Sequence, residues 1–299
     1  MAVLRPVPRE AVLIVNARSR KGQDLHRRAR QLLDESGIRV IADHPVRDPR
    51  RLKQIVDQAV ADGAPMVIVG GGDGSLSCSV DFVVGRDCVF ALLPLGTANS
   101  FARSLDIPLD LEGAVAAIAN GKRRRIDLGM INGDYFANSA AMGLAPMIAD
   151  SVPHRLKKYL GRVGYLLWAI WCLIHFRPFT ARITVDGESS TFTALELRIA
   201  NGRFHGGVEV VEDAGGDGVD SGEIVVQVVT GRYKRRLIWN WFATIFRLES
   251  RHETIEELRG REIGIETRPS LKISVDGELS GRTPASVEIA SKAIEVVVP

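Results

Sequence analysis

Four apolar residues, Met66-Val67-Ile68-Val69, run straight into Gly70-Gly71-Gly72-Asp73-Gly74-Ser75, and few folds accommodate that junction. The apolar run has no polar alternation, so it reads as a strand covered on both faces, as in a parallel sheet. A glycine run after such a strand predicts a sharp turn presenting backbone N–H groups to an anion, with a helix opening near Ser75. Asp73 is unexpected in a loop that only holds phosphate. A carboxylate there fits a loop that also meets Mg²⁺ or a ribose hydroxyl. Without a ligand, the same residues make a plain strand-to-helix turn.

The neighbouring sequence repeats the pattern. Residues 11–15 are a β-branched run ending at Asn16. The helix after it carries Leu25, Ala29, Leu32 and Leu33 on one face, with Gly37 placed to stop it. His26, Arg27, Arg28 and Arg30 then make its outer, solvated face. Asp48-Pro49 caps and opens a second helix, with Leu52, Ile55, Val56 and Ala59 inward. A further strand over 88–93 ends in Pro94-Leu95-Gly96-Thr97-Ala98-Asn99-Ser100-Phe101-Ala102-Arg103. That loop too lies at the carboxyl end of a parallel strand, where open α/β sheets bind ligands. Thr97 and Asn99 offer short polar groups there, and Arg103 a fixed charge.

After residue 127 the texture changes to short β-rich runs over 135–140, 179–185, 194–200, 223–229, 271–275 and 293–298. Turn pairs such as Asp186-Gly187 and Asp276-Gly277 punctuate them, and one helical block over 152–175 interrupts them. The chain therefore reads as α/β. An N-terminal α/β domain with a mostly parallel sheet spans 1–128. A mainly antiparallel, sandwich-like β domain spans 129–299, its last strand returning to the first domain, with the active site in the cleft between the two.

Composition narrows the classes. The chain has 299 residues, 45% hydrophobic and 25% charged, the proportions of a folded globular protein rather than a disordered one. A net charge of +3 does not call for nucleic acid. The three cysteines, Cys78, Cys88 and Cys172, have no metal-ligand spacing and suit a reducing compartment. The opening residues lack the layout of an export signal. The longest apolar run, 163–176, has fourteen residues, short of the ~20 that span a bilayer. The expected address is cytoplasmic, peripheral at the membrane. Trp168 and Trp171 follow Arg155, Lys157, Lys158 and Arg162, and Trp239 and Trp241 follow Arg232, Lys234, Arg235 and Arg236. Aromatics beside bases suit an anionic membrane surface; the other reading is tryptophans in the core with arginines flanking it. Lys122-Arg123-Arg124-Arg125 reads as surface between elements.

No Walker loop, dinucleotide fingerprint, protein-kinase catalytic loop or nucleophile elbow occurs, and no histidine pairs with a cysteine at zinc spacing. Gly71-Gly72-Asp73-Gly74-Ser75, Pro94-Leu95-Gly96-Thr97-Ala98-Asn99 and Val275-Asp276-Gly277-Glu278 together resemble the diacylglycerol kinase catalytic-domain family. The likeness is strongest to its bacterial lipid kinase branch, with sphingosine and ceramide kinases as relatives. It covers nearly the whole chain. It takes in Asn16 to Gly22 as a degraded nucleotide loop, Gly121-Lys122, Asp127-Leu128-Gly129, Asn201-Gly202 with Gly206-Gly207, and Asp220-Ser221-Gly222-Glu223.

The resemblance implies an ATP- and Mg²⁺-dependent kinase moving the γ-phosphate onto a hydroxyl of diacylglycerol or a related lipid. By it, Gly71, Gly72, Asp73, Gly74, Ser75, Leu76, Ser77 and Thr97 bind the nucleotide's phosphates, with Asn99 in the same crevice. Asn16, Ala17, Arg18, Ser19 and Arg20 border the nucleotide. Asp276 and Glu278 stand near the acceptor hydroxyl, Glu278 the first choice as general base. Asp220, Ser221 and Glu223, with Asp127, mark the metal position. The chain departs from the family pattern at Ala17, where proline is usual, and at Cys78, Ser100 and Ser221, where carboxylates are usual.

Asp276-Gly277-Glu278 also has a plain reading as a hairpin turn, since Asp186-Gly187-Glu188 repeats the triplet. Two other functions stay open. One is an NAD-kinase-like or other small-molecule kinase, which shares the Gly-Gly-Asp-Gly loop; the other is a lipid- or nucleotide-binding protein without turnover. The expected partners are a nucleotide, a lipid and an anionic membrane surface, and a dimer is compatible with the sequence.

Overall fold

The computed structural model describes residues 5–201, 204–205, 208–209, 219–230 and 255–299. The elements are β1 (Glu10–Asn16), α1 (Arg20–Glu35), β2 (Arg39–Val46), α2 (Pro49–Ala61), β3 (Met66–Gly71), α3 (Asp73–Val80), β4 (Val89–Pro94), α4 (Ser100–Ser104), α5 (Leu111–Asn120), β5 (Lys122–Ile131) and β6 (Asp134–Phe136). They continue as β7 (Ser139–Gly143), α6 (Leu144–Ser151), α7 (His154–His175), β8 (Phe179–Val185), β9 (Glu188–Ala200), β10 (Phe204–His205) and β11 (Val208–Glu209). The last are β12 (Ile224–Thr230), β13 (Ile255–Gly260), β14 (Glu262–Arg268), β15 (Lys272–Val275), β16 (Glu278–Arg282) and β17 (Ala285–Val298). The chain forms two compact units: Met1–Asn138 with Asn201–Gly222 and Ile289–Pro299, and Ser139–Ala200 with Glu223–Glu288. Residues 129–138 thus fold with the first unit.

In the first unit β2, β1, β3 and β4 lie side by side in that order, the end of β17 joins β4, and all these pairings are parallel. β3 and β4 are buried at every position, because helices cover both of their faces. α1 packs with α5, and α2 with α3. The helix ends follow the expected signals. Asp48 caps α2 ahead of Pro49, and Gly37, at φ 75°, follows α1. His26, expected on a solvated face, is instead buried and meets Asp43 of β2 at 2.5 Å. The basic run 122–125, expected between elements, opens β5. A strand holds these bases because partners distant in sequence meet them: Glu295 for Arg123 and Asp220 for Arg124.

Among the described residues, the strand pairings of the second unit are antiparallel. Its spine is β9, whose first half pairs with β8 and whose second half pairs with β7 and β12. β8 leads on through β14 to the first residues of β17, β7 through β15 to β16, and β12 to β13. Phe179, Ala181 and Ile183 point inward and Thr180 and Arg182 outward, the alternation of a half-buried strand. α6 and α7 pack on each other.

Cys88 lies buried just before β4, and burial pushes its thiol from 9.0 up to about 11. Below pH 9.0 the thiol is protonated in both the folded and the unfolded chain, and stability does not change with pH through this group. Between 9.0 and about 11 the unfolded chain ionises first, so stability falls. The slope approaches about 1.36 kcal/mol per pH unit. Urea midpoints across that window should drop more steeply for the wild type than for Cys88→Ala. Parallel curves would show that the thiol contributes nothing.

Candidate functional site

The parallel order reverses direction between β1 and β3: α1 leads outward from β1 to β2, and α3 leads the other way from β3 to β4. Open α/β sheets bind ligands at such a switch, beyond the carboxyl ends of the strands. Here those ends are Asn16 and Gly71. Asn16 ties the end of β1 to α3, its Nδ2 donating to Ser75 Oγ at 3.1 Å. Arg18 N donates to Asn16 Oδ1 at 3.3 Å. Ala17 is buried and Arg18 exposed, while the side chain of Arg20 lies outside the described ones. Ser19 is occupied as the cap of α1, accepting from Gly22 N at 3.0 Å.

Gly72 has φ −89° and ψ 179°, and none of Gly70, Gly71, Gly72 or Gly74 has a positive φ. At Gly71 and Gly96 glycine is required for room rather than for handedness. A Cβ on Gly71 would lie 2.5 Å from Ser75 Cβ, and one on Gly96 would lie 2.5 Å from Gly72 Cα. The two loops therefore press backbone on backbone. Gly96 falls outside the contact residues the sequence singles out; its signal is a second glycine at a strand end matching the first.

α3 begins at Asp73 with no side chain capping it. The first-turn N–H groups of such a helix, with its dipole, favour an anion. Space is open there, since a Cβ on Gly74 would meet nothing within 4 Å. Ser75 contributes a hydroxyl at this end, and Thr97 is exposed beside Gly96. Four of the expected contacts have structural duties instead. Asp73 Oδ1 accepts from Phe101 N at 3.2 Å, so this carboxylate caps α4 across the loop contact. Asn99, at φ 50° and ψ 44°, turns its side chain onto its own loop: Oδ1 accepts from Gly96 N at 2.9 Å, and Nδ2 donates to Pro94 O and Gly96 O. Leu76 is core, and Ser77 Oγ accepts from Asn138 Nδ2 at 3.4 Å.

The residues expected around a metal are also engaged. Asp127 is buried and accepts from Gly222 N at 3.0 Å and Lys292 N at 2.7 Å. Asp220 Oδ2 is gripped by Arg124 through Nη2 at 2.6 Å and Nε at 3.1 Å. Ser221 and Glu223 have interactions of their own. No three His, Cys, Asp or Glu side chains among the described residues come together as cation ligands. As it stands, this set does not fit a divalent ion. Gly202, Gly206 and Gly207 lie outside the described residues.

In the second unit the two Asp-Gly-Glu copies form the same device. Asp186 and Asp276 have φ 47° and 46°, Gly187 and Gly277 φ 93° and 91°, the two-residue hairpin turn with both centres left-handed. Asp276 Oδ1 accepts from Ser139 N at 2.9 Å while Asp276 N donates to Ser139 O at 2.9 Å, pinning the turn to β7. Asp186 Oδ1 accepts in the same way from Arg261 N at 3.1 Å and Glu262 N at 3.0 Å. Asp276, expected near the acceptor as a second candidate base, therefore serves as a strut. Glu278 is exposed, opposite Val275 in the hairpin register.

Comparison with known proteins places these elements. Residues 10–131 match the diacylglycerol kinase catalytic domain, and residues 138–298 the YegS C-terminal NAD kinase beta sandwich-like domain. A Staphylococcus aureus diacylglycerol kinase is 28% identical over 251 residues, covering 81% of this chain and 77% of that one. A probable lipid kinase, YegS-like, from Enterobacter sp. is 33% identical over 205 residues, 66% of this chain and 67% of its own length. A Synechocystis relative is 28% identical over 254 residues, and the match spans 84% of this chain but only 58% of that protein. Among solved structures, a diacylglycerol kinase from Bacillus anthracis shares the fold at TM-score 0.76 and 18% identity, over 99% of this chain and 98% of that one. Another Bacillus anthracis chain shares it at TM-score 0.82 and 22% identity, over 100% and 98%.

Two glycine substitutions separate the framework from the open space. Gly96→Ala should lower the unfolding free energy by about 1–3 kcal/mol, the usual penalty of overpacking. Gly74→Ala should fold as stably as the wild type. Denaturant titration of both checks this, and equal stability of the two variants would remove the loop contact as a constraint.

Proposed function

We propose that this chain, which belongs to the diacylglycerol kinase catalytic-domain family, moves the γ-phosphate of ATP onto a hydroxyl of diacylglycerol or a related lipid. The observation that carries the reading is the uncapped start of α3 at the β1/β3 switch, beside Ser75 and Thr97. Its backbone N–H groups and the Ser75 and Thr97 hydroxyls hold the phosphates, and Asn16 and Arg18 border the nucleotide. Phosphoryl transfer asks mostly for positioning and charge stabilisation, with a group to receive the hydroxyl proton. Glu278 takes that proton on this reading. Mg²⁺, the usual companion of ATP in this chemistry, is assigned no ligand from this chain. A second reading, binding without turnover, draws on the engaged carboxylates of Asp127 and Asp220.

Labelled ATP and extracted lipids separate the two readings: a labelled lipid supports the first, and nucleotide binding without product the second. Glu278→Gln should lower turnover by about 10²–10⁴-fold with nucleotide affinity unchanged. Glu188→Gln should stay within a few-fold, and so should Asp276→Asn, which keeps an acceptor for Ser139 N. Equal losses at Glu278 and Glu188 would take the proton-accepting role away from Glu278.

A further inference from the structure

α7 is apolar on two sides. Ala169, Cys172, Leu173 and Phe176, the last just beyond its end, form a buried stripe. Leu167, Ile170, Trp171 and Ile174 form a second stripe at the same helical spacing, and it is exposed, at 54%, 42%, 49% and 60%. The outward face is held in place. Trp168 Nε1 donates to Ser151 Oγ of α6 at 3.0 Å, Trp168 stacks on Trp171 with centroids 4.7 Å apart, and Trp171 lies 4.4 Å from the His175 ring. A contiguous exposed stripe of large apolar side chains marks an interaction surface.

The charge on α7 selects the occupant. Its 22 residues include Arg155, Lys157, Lys158 and Arg162, all in the first half, and no Asp or Glu. A second copy would set this positive helix against another in a self-complementary contact. An anionic bilayer accommodates both halves. Its headgroups attract the bases, and its acyl boundary takes the indole and the aliphatic side chains. No described helix is long and apolar enough to cross a membrane.

We propose that α7 is a membrane-docking helix whose Leu167, Ile170, Trp171 and Ile174 enter the headgroup–acyl boundary of an anionic bilayer. The docking is carried by α7 alone and does not depend on the kinase reading. The other tryptophan stretch, Trp239 and Trp241 with Arg232, Lys234, Arg235 and Arg236, lies outside the described residues.

The test is cosedimentation without nucleotide, using vesicles of phosphatidylcholine alone and of equal parts phosphatidylcholine and phosphatidylglycerol. The wild type should bind the mixed vesicles, more weakly as salt rises. Trp171→Asp with Ile174→Asp should reduce that binding at least about tenfold. Trp171→Ser with Ile174→Ser is the milder second pair, and circular dichroism checks that both variants are folded. Absence of wild-type binding, or equal binding by the wild type and folded variants, overturns the proposal. So does a wild-type dimer that the variants convert to a monomer with vesicle binding unchanged, which would give the face to a second copy.

Discussion

The candidate site depends on a close approach between two glycines of neighbouring loops, Gly72 and Gly96. β3 and β4 are adjacent parallel strands, and Leu95 N donates to Gly71 O at 2.9 Å, so their pairing runs on past the strand ends. Gly96 can then meet Gly72 only without a side chain of its own. That contact brings Asp73 within reach of the first turn of α4. The loop holds one nearby carboxylate for two helix starts. Asn99 cannot cap α4, because its amide is already closing the loop that precedes it. Asp73 therefore serves α4, and while Ser75 N donates to Gly72 O, the N–H groups of Asp73 and Gly74 at the start of α3 are left for something else. The anion-favouring end of α3 is what remains after the capping groups have been allocated.

The same allocation decides which acids are available for chemistry. A carboxylate that accepts backbone N–H groups is part of the framework, and removing it leaves those donors unsatisfied, at about 1–3 kcal/mol. Asp127, Asp186 and Asp276 all act this way, and Asp220 is held by an arginine. Glu278 lies exposed at the start of β16 and has an interaction of its own. Asp276, the second candidate of the Asp276-Gly277-Glu278 triplet, is thereby committed to the turn.

The buried parallel strands were legible because a short, continuous apolar run between turn residues fits a strand covered on both faces and little else. Asp48-Pro49 marked a helix start by a local rule. β5 was not legible, since its bases are met by Glu295, Asp220 and the Lys292 carbonyl, far along the chain. The expected single strand over 135–140 is divided into β6 and β7 at Ala137 and Asn138. Asn138 O accepts from Asn201 N at 3.0 Å, a partner that no local pattern reveals. At the site, the positions of the glycines were readable and their reason was not. A glycine needed for handedness and one needed for closeness look alike in sequence, and only the neighbouring loop tells them apart.

α7 shows the same limit in its sharpest form. Residues 167–174 are apolar at every position, so the hydrophobic pattern carries no period and cannot say which face turns inward. Packing against α6 settles it. Ser151 holds Trp168 by its indole and lies 3.7 Å from the Cys172 sulfur, and these two contacts fix the rotation of the helix. With 169, 172 and 173 turned in, 167, 170, 171 and 174 have to turn out. A helix that needed only one apolar face to fold would place polar residues at those four positions, as α1 and α2 do on their outer sides. Folding alone does not account for the second stripe. A surface that takes apolar side chains and tolerates the bases before them does.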